Sequence, residues 1–345
     1  KSEVLGSGNA RDPFPVFTLK QPPLTYTSAK TPSGVQSSLE VRVDGVRWHE
    51  VPFLYGHAED ERIYAVKLED DGTPRVQFNG RLPTGLENVT APYRKGIGSD
   101  GLVHADQISL LSVRPLGVRG VINLLPPSGA ADPESRDALR RNLPLTSLPM
   151  DRLVSLRDYE DFARAFAGFE KAHAVITTDG EQQGIFVTVA GEEGAEVLEG
   201  DEAFKNLVAA MTDFGDPNVP FEVKPYAPVH FQLEADILVN PDYLADEVVA
   251  DVQAALRNHF TFAAQSFGRP VAKSDVIAAI QNVKGVEAVD LNHLFLTSAV
   301  TPDSAKPLAE RLIPATPTPG ISRNDAKPAE LLLLDPRPIV IGVLP

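Results

Sequence analysis

The stretch APYRKGIGSDGLVHADQ, residues 91–107, places Gly96, Gly98 and Gly101 in the spacing G-x-G-x-x-G. Its reading separates two fold classes. A dinucleotide-binding fold needs a hydrophobic strand before such glycines, and after them a helix whose N-terminus meets the pyrophosphate. Here Tyr93, Arg94 and Lys95 come before, and LVHADQISLLSV comes after with the alternation of a strand. The acidic residue expected about 20 positions further on is missing, the region near 121 reading VINLLPPSG. The glycines read as a strand-to-strand turn, and no nucleotide cofactor is expected.

Working outward from that turn, residues 1–130 carry β-type patterning. LEVRVDGVRWHEV sets Leu39, Val41 and Val43 on one face before Asp44-Gly45. An Asp-Gly pair between alternating runs favours a type I′ hairpin, because both turn positions need positive φ. RIYAVKL and RVQF repeat the pattern around EDDGTP, and further short strands are expected near 87–94 and 103–113. Residues 131–149 read as a linker with a short helix.

The pattern then changes to mixed helix and strand. In SLRDYEDFARAFAGF, Ser155 and Asp158 make a capping-box pair, followed by Leu156, Tyr159, Phe162, Ala163 and Phe166 at helical spacing. Two strands, KAHAVITT and GIFVTVAG, a helix over 202–213 and the strand FEVKPY complete a small α+β domain over 150–227. A second α+β domain is expected over 228–345. It opens with the long alternating strand PVHFQLEADILVN, after which Asn240 and Pro241 read as helix cap and first helical position. Leu244, Val248, Val252, Leu256 and Phe260 then line one face, and KSDVIAAIQNVKG gives another capped helix, closed by Gly285. Residues 301–329, centred on PATPTPG, read as an extended connection, and AELLLLDPRPIVIGVLP as two final strands. The fold class is multi-domain α+β, a β-rich N-terminal domain followed by two small α+β domains.

Composition narrows the function. A net charge of −15 over 345 residues argues against binding nucleic acid or an anionic membrane. With no cysteine, disulfides and thiolate chemistry are excluded. The chain starts at Lys1, so a preceding portion and any targeting signal are expected to be missing. His49, Glu50, His57, Glu59, Asp60 and Glu61 could in principle form a nitrogen–oxygen metal site. The two histidines are eight residues apart on a loop, and a solvated acidic loop is the better reading, with no metal expected. No nucleophile elbow or phosphate-binding loop occurs, and Glu192–Glu193 and Asp70–Asp71 sit in turn-like stretches. Neither catalytic nor cofactor-binding residues are expected.

The most specific pattern spans residues 76–144. Phe78, Gly80, Pro83, Gly85, Asn88, Val89, Tyr93, Arg94, Gly96, Gly98, Gly101 and Val103 form one phrase. Pro115, Gly117, Val118, Asn123, Pro126, Gly129, Ala131, Asp132, Pro133 and Glu134 form a second. This resembles the baseplate J-like assembly proteins of contractile injection systems and contractile phage tails. Leucine after Asn123 and Ala130 in place of a second glycine depart from the family pattern in loop geometry. The resemblance implies a structural wedge subunit, assembled in the cytoplasm as part of a phage-tail-like particle that is released, membrane-anchored or cytosolic. It implies contacts with other copies of the chain, with a second wedge protein, with the spike hub and with sheath-proximal baseplate proteins, and none with nucleic acid or by membrane insertion. Movement would centre on linkers such as 126–149 and 301–329. Two other classes compete: a carbohydrate- or receptor-binding module using loop aromatics such as Trp48, and a hydrolase using the His49–Glu61 loop.

Overall fold

A computed structural model describes residues 2–69, 71–124, 132, 140, 152–178, 180–299, 306–322 and 325–345. The fold is mixed α+β, with four α-helices and many strands among those residues. It divides into two compact units, one of residues 1–31 and 35–139, the other of 32–34 and 140–345.

The first unit is built from ten strands: β1 (Ser2–Gly8), β2 (Val16–Thr18), β3 (Tyr26–Ser28), β4 (Val35–Ser37), β5 (Arg42–Val43), β6 (Val46–Arg47), β7 (His49–Glu50), β8 (Ile63–Leu68), β9 (Pro74–Phe78) and β10 (Gly85–Pro92). They form one sheet in the order β1-β10-β5-β6, another in the order β2-β9-β8-β7, and the hairpin β3-β4. The Asp44-Gly45 turn has φ of 51° and 77°, the two positive values that a type I′ turn requires. Alternation is satisfied by burial, since Leu39, Val41 and Val43 are all in the core. The Phe78 ring is central there: Phe17 and Trp48 meet it edge-on at centroid distances of 5.8 and 5.1 Å, and Tyr64 packs at 6.2 Å.

The second unit starts with α1 (Leu156–Ala165), whose capping box is fully formed. Ser155 Oγ accepts from the Asp158 N–H at 3.2 Å, and an Asp158 carboxylate oxygen accepts from the Ser155 N–H at 2.7 Å. The helix packs on β11 (Phe169–Thr178) and β12 (Gln183–Gly191); α2 (Glu202–Phe214) and β13 (Phe221–Pro225) come next. Tyr159, Phe162, Phe166, Phe204, Leu207 and Met211 share a core with the inner residues of β12. β14 (Ala227–Val239) is the axis of the next sheet, burying Phe231, Leu233, Ala235 and Ile237. Over it lie α3 (Ala245–His259) and α4 (Lys273–Gln281), which contribute Val248, Val252, Leu256, Val276 and Ile280 to its core. β15 (Val271–Ala272) precedes α4 and β16 (Val286–Leu296) succeeds it. β16 pairs antiparallel with β14, while β19 (Glu330–Leu334) and β20 (Val340–Val343) pair parallel with successive halves of β14's other edge.

Four expectations fail here. Residues 103–113 form no strand, because their alternation has no neighbouring run to pair with, Asp106 adopts a φ of 66°, and Pro115 and Gly117 interrupt the chain just beyond them. Asn240 does not cap a helix: its Oδ1 accepts from the Asp242 N–H at 2.9 Å and its carbonyl from Tyr243 at 3.0 Å, closing a turn. The helix begins later, at Ala245, which leaves Leu244 exposed at its N-cap rather than on the buried face. Lys273–Gln281 has no side-chain N-cap bond. The linker helix expected in 131–149 lies outside the described residues, save Asp132 and Arg140.

The described part of 301–329 is no loose hinge. β17 (Arg311–Leu312) pairs with β15, the Gly320 N–H donates to Ile176 O at 2.8 Å, and β18 (Ile321–Ser322) pairs with β11. The Ala329 N–H then donates to the buried Thr188 Oγ1 at 3.0 Å, and Ala329 O accepts from Ala227. Extended backbone satisfies its polar groups only by pairing, so this strap stitches β11, β12 and β14 together.

Asp335 ends β19 in a polar knot. Its carboxylate accepts two bonds from the Arg337 side chain and one from the Arg337 N–H, each at 2.9 Å, and one from Thr297 Oγ1 at 3.2 Å. The Arg337 guanidinium holds the carboxyl well below the usual carboxylate range, outweighing burial. A depressed folded-state pKa stabilises the fold fully above the ordinary value near 4 and loses that contribution as pH falls below it. Asp335→Asn should therefore cost about 2 kcal/mol at pH 7 and flatten the acid limb of the stability curve; urea titrations from pH 7 to 3 would measure both.

Candidate functional site

The residues of the 76–134 pattern do not converge on one cleft; the structure places them at three separate points of the first unit. Phe78 is the core ring described above, and Gly80 passes so close to Glu59 O that a Cβ would sit at 2.5 Å from it. Pro83, Gly85 and Asn88 belong to the first point. Asn88 Oδ1 accepts from the Gly8 N–H at 2.7 Å, and its Nδ2 donates to Pro83 O and Asp44 Oδ1, both at 3.1 Å. One amide thereby ties β1, the β9–β10 connection and the β5–β6 turn.

The second point is the end of β10. Tyr93 is buried; its hydroxyl donates to the Glu3 carboxylate and accepts from the Gln21 N–H at 3.1 Å. Burial and the Glu3 carboxylate push the phenol up to about 12, so it remains a donor at neutral pH. Arg94 acts here through its backbone, donating to Ser38 Oγ at 3.0 Å and accepting from Thr25 at 3.1 Å, and Gly96 packs against Thr25. Gly98 and Gly101 bound a four-residue 3-10 turn. The strand before the glycines is antiparallel to both neighbours and the turn leads to no α-helix, so the dinucleotide geometry is absent from this segment.

The third point is the neck of a loop. Asn123 clasps it: Oδ1 accepts from Ile108 and the main-chain carbonyl from Asp106, both at 2.8 Å, and Nδ2 donates to His104 O at 3.0 Å. The tip closes in a turn, with the Val118 N–H donating to Pro115 O at 3.2 Å and Gly117 at a φ of 92°. Arg114 braces it, donating to Val118 O and Arg119 O at 2.9 and 2.5 Å. Between neck and tip every residue from Asp106 to Gly120 is exposed. Asp132 is exposed, and Pro133 and Glu134 lie outside the described residues.

In the 49–61 loop, His57 Nδ1 meets a Glu61 carboxylate oxygen at 2.9 Å while the other accepts from the Ala58 N–H at 2.8 Å. The Ala58 amide and His57 lower the Glu61 pKa, so this carboxylate closes a turn. Among the described residues no three His, Asp or Glu side chains are grouped to hold a metal. Trp48 is buried against Phe78, which removes it as a loop aromatic for a glycan. Reading the sequence as strands misses the apolar side chains displayed between residues 108 and 124. Pro115, Gly117 and Gly120 in close succession were the signal against a strand there.

Residues 151–224 match the family described as Baseplate J-like central domain, and residues 231–303 the Baseplate J-like protein C-terminal domain. The two matches are consecutive in the second unit. The second unit carries two baseplate J-like domains. Between these baseplate J-like domains, β14 opens the C-terminal match and the strap ties that domain back to the central one. No curated protein matches the chain. A solved structure of the anti-feeding prophage baseplate, 6-fold symmetrised, is similar over 97% of this chain and 76% of its own, at 12% identity and a TM-score of 0.38. Likeness at that level carries no argument about function. No described helix is long and apolar enough to cross a membrane.

The two asparagine clasps make separable predictions. Asn88→Ala leaves the Gly8 N–H without its acceptor and should lower the stability of the first unit by about 2 kcal/mol, read by urea unfolding monitored through Trp48. Asn123→Ala should abolish hydrogen-exchange protection at the Asp106 and Ile108 amides while leaving the β11–β12 amides unchanged.

Proposed function

We propose that this chain is a structural wedge subunit of the baseplate of a phage-tail-like contractile injection system. The observation that carries this reading is the pair of consecutive baseplate J-like domain matches, central then C-terminal. The phrase over residues 76–144 supports it from the other unit. In this reading the chain has three working parts: a β-rich domain over 1–130, and α+β domains over 150–227 and 228–345, with 131–149 as linker. The residues of the pattern, Asn88 and Asn123 foremost, serve as loop-shaping rivets and not as a reactive site.

A wedge holds the baseplate closed and rearranges when sheath contraction is released. Such work calls for bodies that move whole, and the strap from β17 to Ala329 supports that for the two α+β domains. The partners are other copies of the chain, a second wedge protein, the hub and spike, and sheath-proximal baseplate proteins. Assembly takes place in the cytoplasm, and the role is mechanical instead of enzymatic.

The test is to pellet large sheathed assemblies from a native lysate and identify their peptides by mass spectrometry. Peptides of this chain should travel with sheath and tube proteins. Should they stay among small soluble proteins while the particles remain intact, the wedge reading fails.

A further inference from the structure

The end of β10 holds one side chain of the sequence pattern that the fold itself does not use. Arg94 is fixed through its main chain, its N–H donating to Ser38 Oγ at 3.0 Å and its carbonyl accepting from Thr25 at 3.1 Å. Among the described residues its guanidinium has no hydrogen-bond or ion-pair partner, and neither has the Lys95 ammonium. Both line a cleft of about 430 Å³ within the first unit, together with Lys20, Gln21, Tyr93 and Glu3. That volume lies within the roughly 300–1,000 Å³ that small-molecule sites occupy.

Charge selects the occupant. Lys20, Arg94 and Lys95 stand against Glu3 in the lining, a local excess of two positive charges in a chain of net charge −15. Glu3 is already engaged, accepting from the Tyr93 hydroxyl and from the Lys20 N–H, the latter at 3.2 Å. Lys20 Nζ spends one donor on Val4 O at 3.4 Å and keeps two of its three. A phosphomonoester brings about −1.5 to −2 charges at neutral pH and three acceptor oxygens, which matches this excess. A carboxylate brings one charge and would leave a cation uncompensated. The guanidinium fork fits phosphate oxygens two at a time, while lysines act as point charges. Because the main chains of Lys20 and Arg94 are anchored, their side chains start from fixed points, which lowers the ordering cost of binding. We infer that this cleft binds a small phosphate-bearing molecule, Arg94 forked on the phosphate and Lys20 and Lys95 balancing the remaining charge. The site is built from residues of the first unit alone and goes beyond the wedge reading.

Titration of the full chain with glycerol 3-phosphate, followed through amide NMR shifts, tests it. The Gln21 and Lys95 amides should move along one saturable curve, while the amides of β14 stay in place. Arg94→Gln with Lys95→Gln should raise the dissociation constant about tenfold or more. Arg11→Gln removes a cation beyond the other end of β1 and should change it by less than about twofold. Urea midpoints should match the native chain for both variants, since none of these three side chains bonds to the fold. Absence of a saturable shift overturns the inference, as does a double variant that binds like the native chain. Acetate binding as tightly as glycerol 3-phosphate would remove the phosphate assignment. Duplex DNA moving these amides where glycerol 3-phosphate does not would replace the small molecule with a nucleic acid. Co-sedimentation with sheathed particles is untouched by any of these outcomes, so this inference and the wedge reading fail separately.

Discussion

The second unit depends on β14. Its thirteen residues alternate so that Phe231, Leu233, Ala235 and Ile237 all point into one core, where α3 and α4 close over them. Each large side chain removed from water there contributes roughly 1.5–3 kcal/mol, and a one-residue slip of register would turn the whole set outward. Both edges are occupied, by β16 on one side and by β19 and β20 in succession on the other. Because β19 and β20 come from the end of the chain, the segment before them must return across the unit. That return is the strap, and it fastens the central domain to the C-terminal one.

The first unit is held differently. Its strands are short, several of only two or three residues, so ladder hydrogen bonds alone cannot organise it. An aromatic cluster around Phe78 supplies the apolar centre, and side-chain amides and hydroxyls fasten the connections. Asn88 and Tyr93 each join segments about 80 or more residues apart in sequence, as shown by the bonds to Gly8 and Glu3. Polar residues of this kind satisfy buried backbone groups that loops would otherwise leave unpaired. It explains why a pattern rich in Gly, Asn and Tyr can mark a protein family without marking a reaction.

For an assembly subunit the useful surface is one that its own fold leaves uncovered. The arm between His104 and Asn123 meets that condition, and the Asn123 clasp gives it a fixed base. In the second unit the strap instead joins the two baseplate J-like domain matches through backbone pairing and the Ala329–Thr188 bond.

Much was legible from local sequence. The Asp44-Gly45 turn, the Ser155–Asp158 capping box and the stripe Tyr159, Phe162, Ala163, Phe166 arise from chemistry contained within a few neighbouring residues. The pattern over 76–144 pointed to the baseplate J-like family before any contact was known. Local rules failed where the partner lay far away. Residues 103–113 alternate like a strand, but alternation specifies a face and not a neighbour, and none was supplied. Asn240 carries the chemistry of a cap, yet its side chain closes a turn that sets the helix start at Ala245. PATPTPG reads as a loose linker because proline removes donors and helix propensity; only the distant strands β11, β12 and β14 make it a strap. Sequence determined which residues could turn, cap and be buried. Tertiary structure decided which extended segments found an edge, because a backbone hydrogen bond between strands needs a second strand that no local pattern contains.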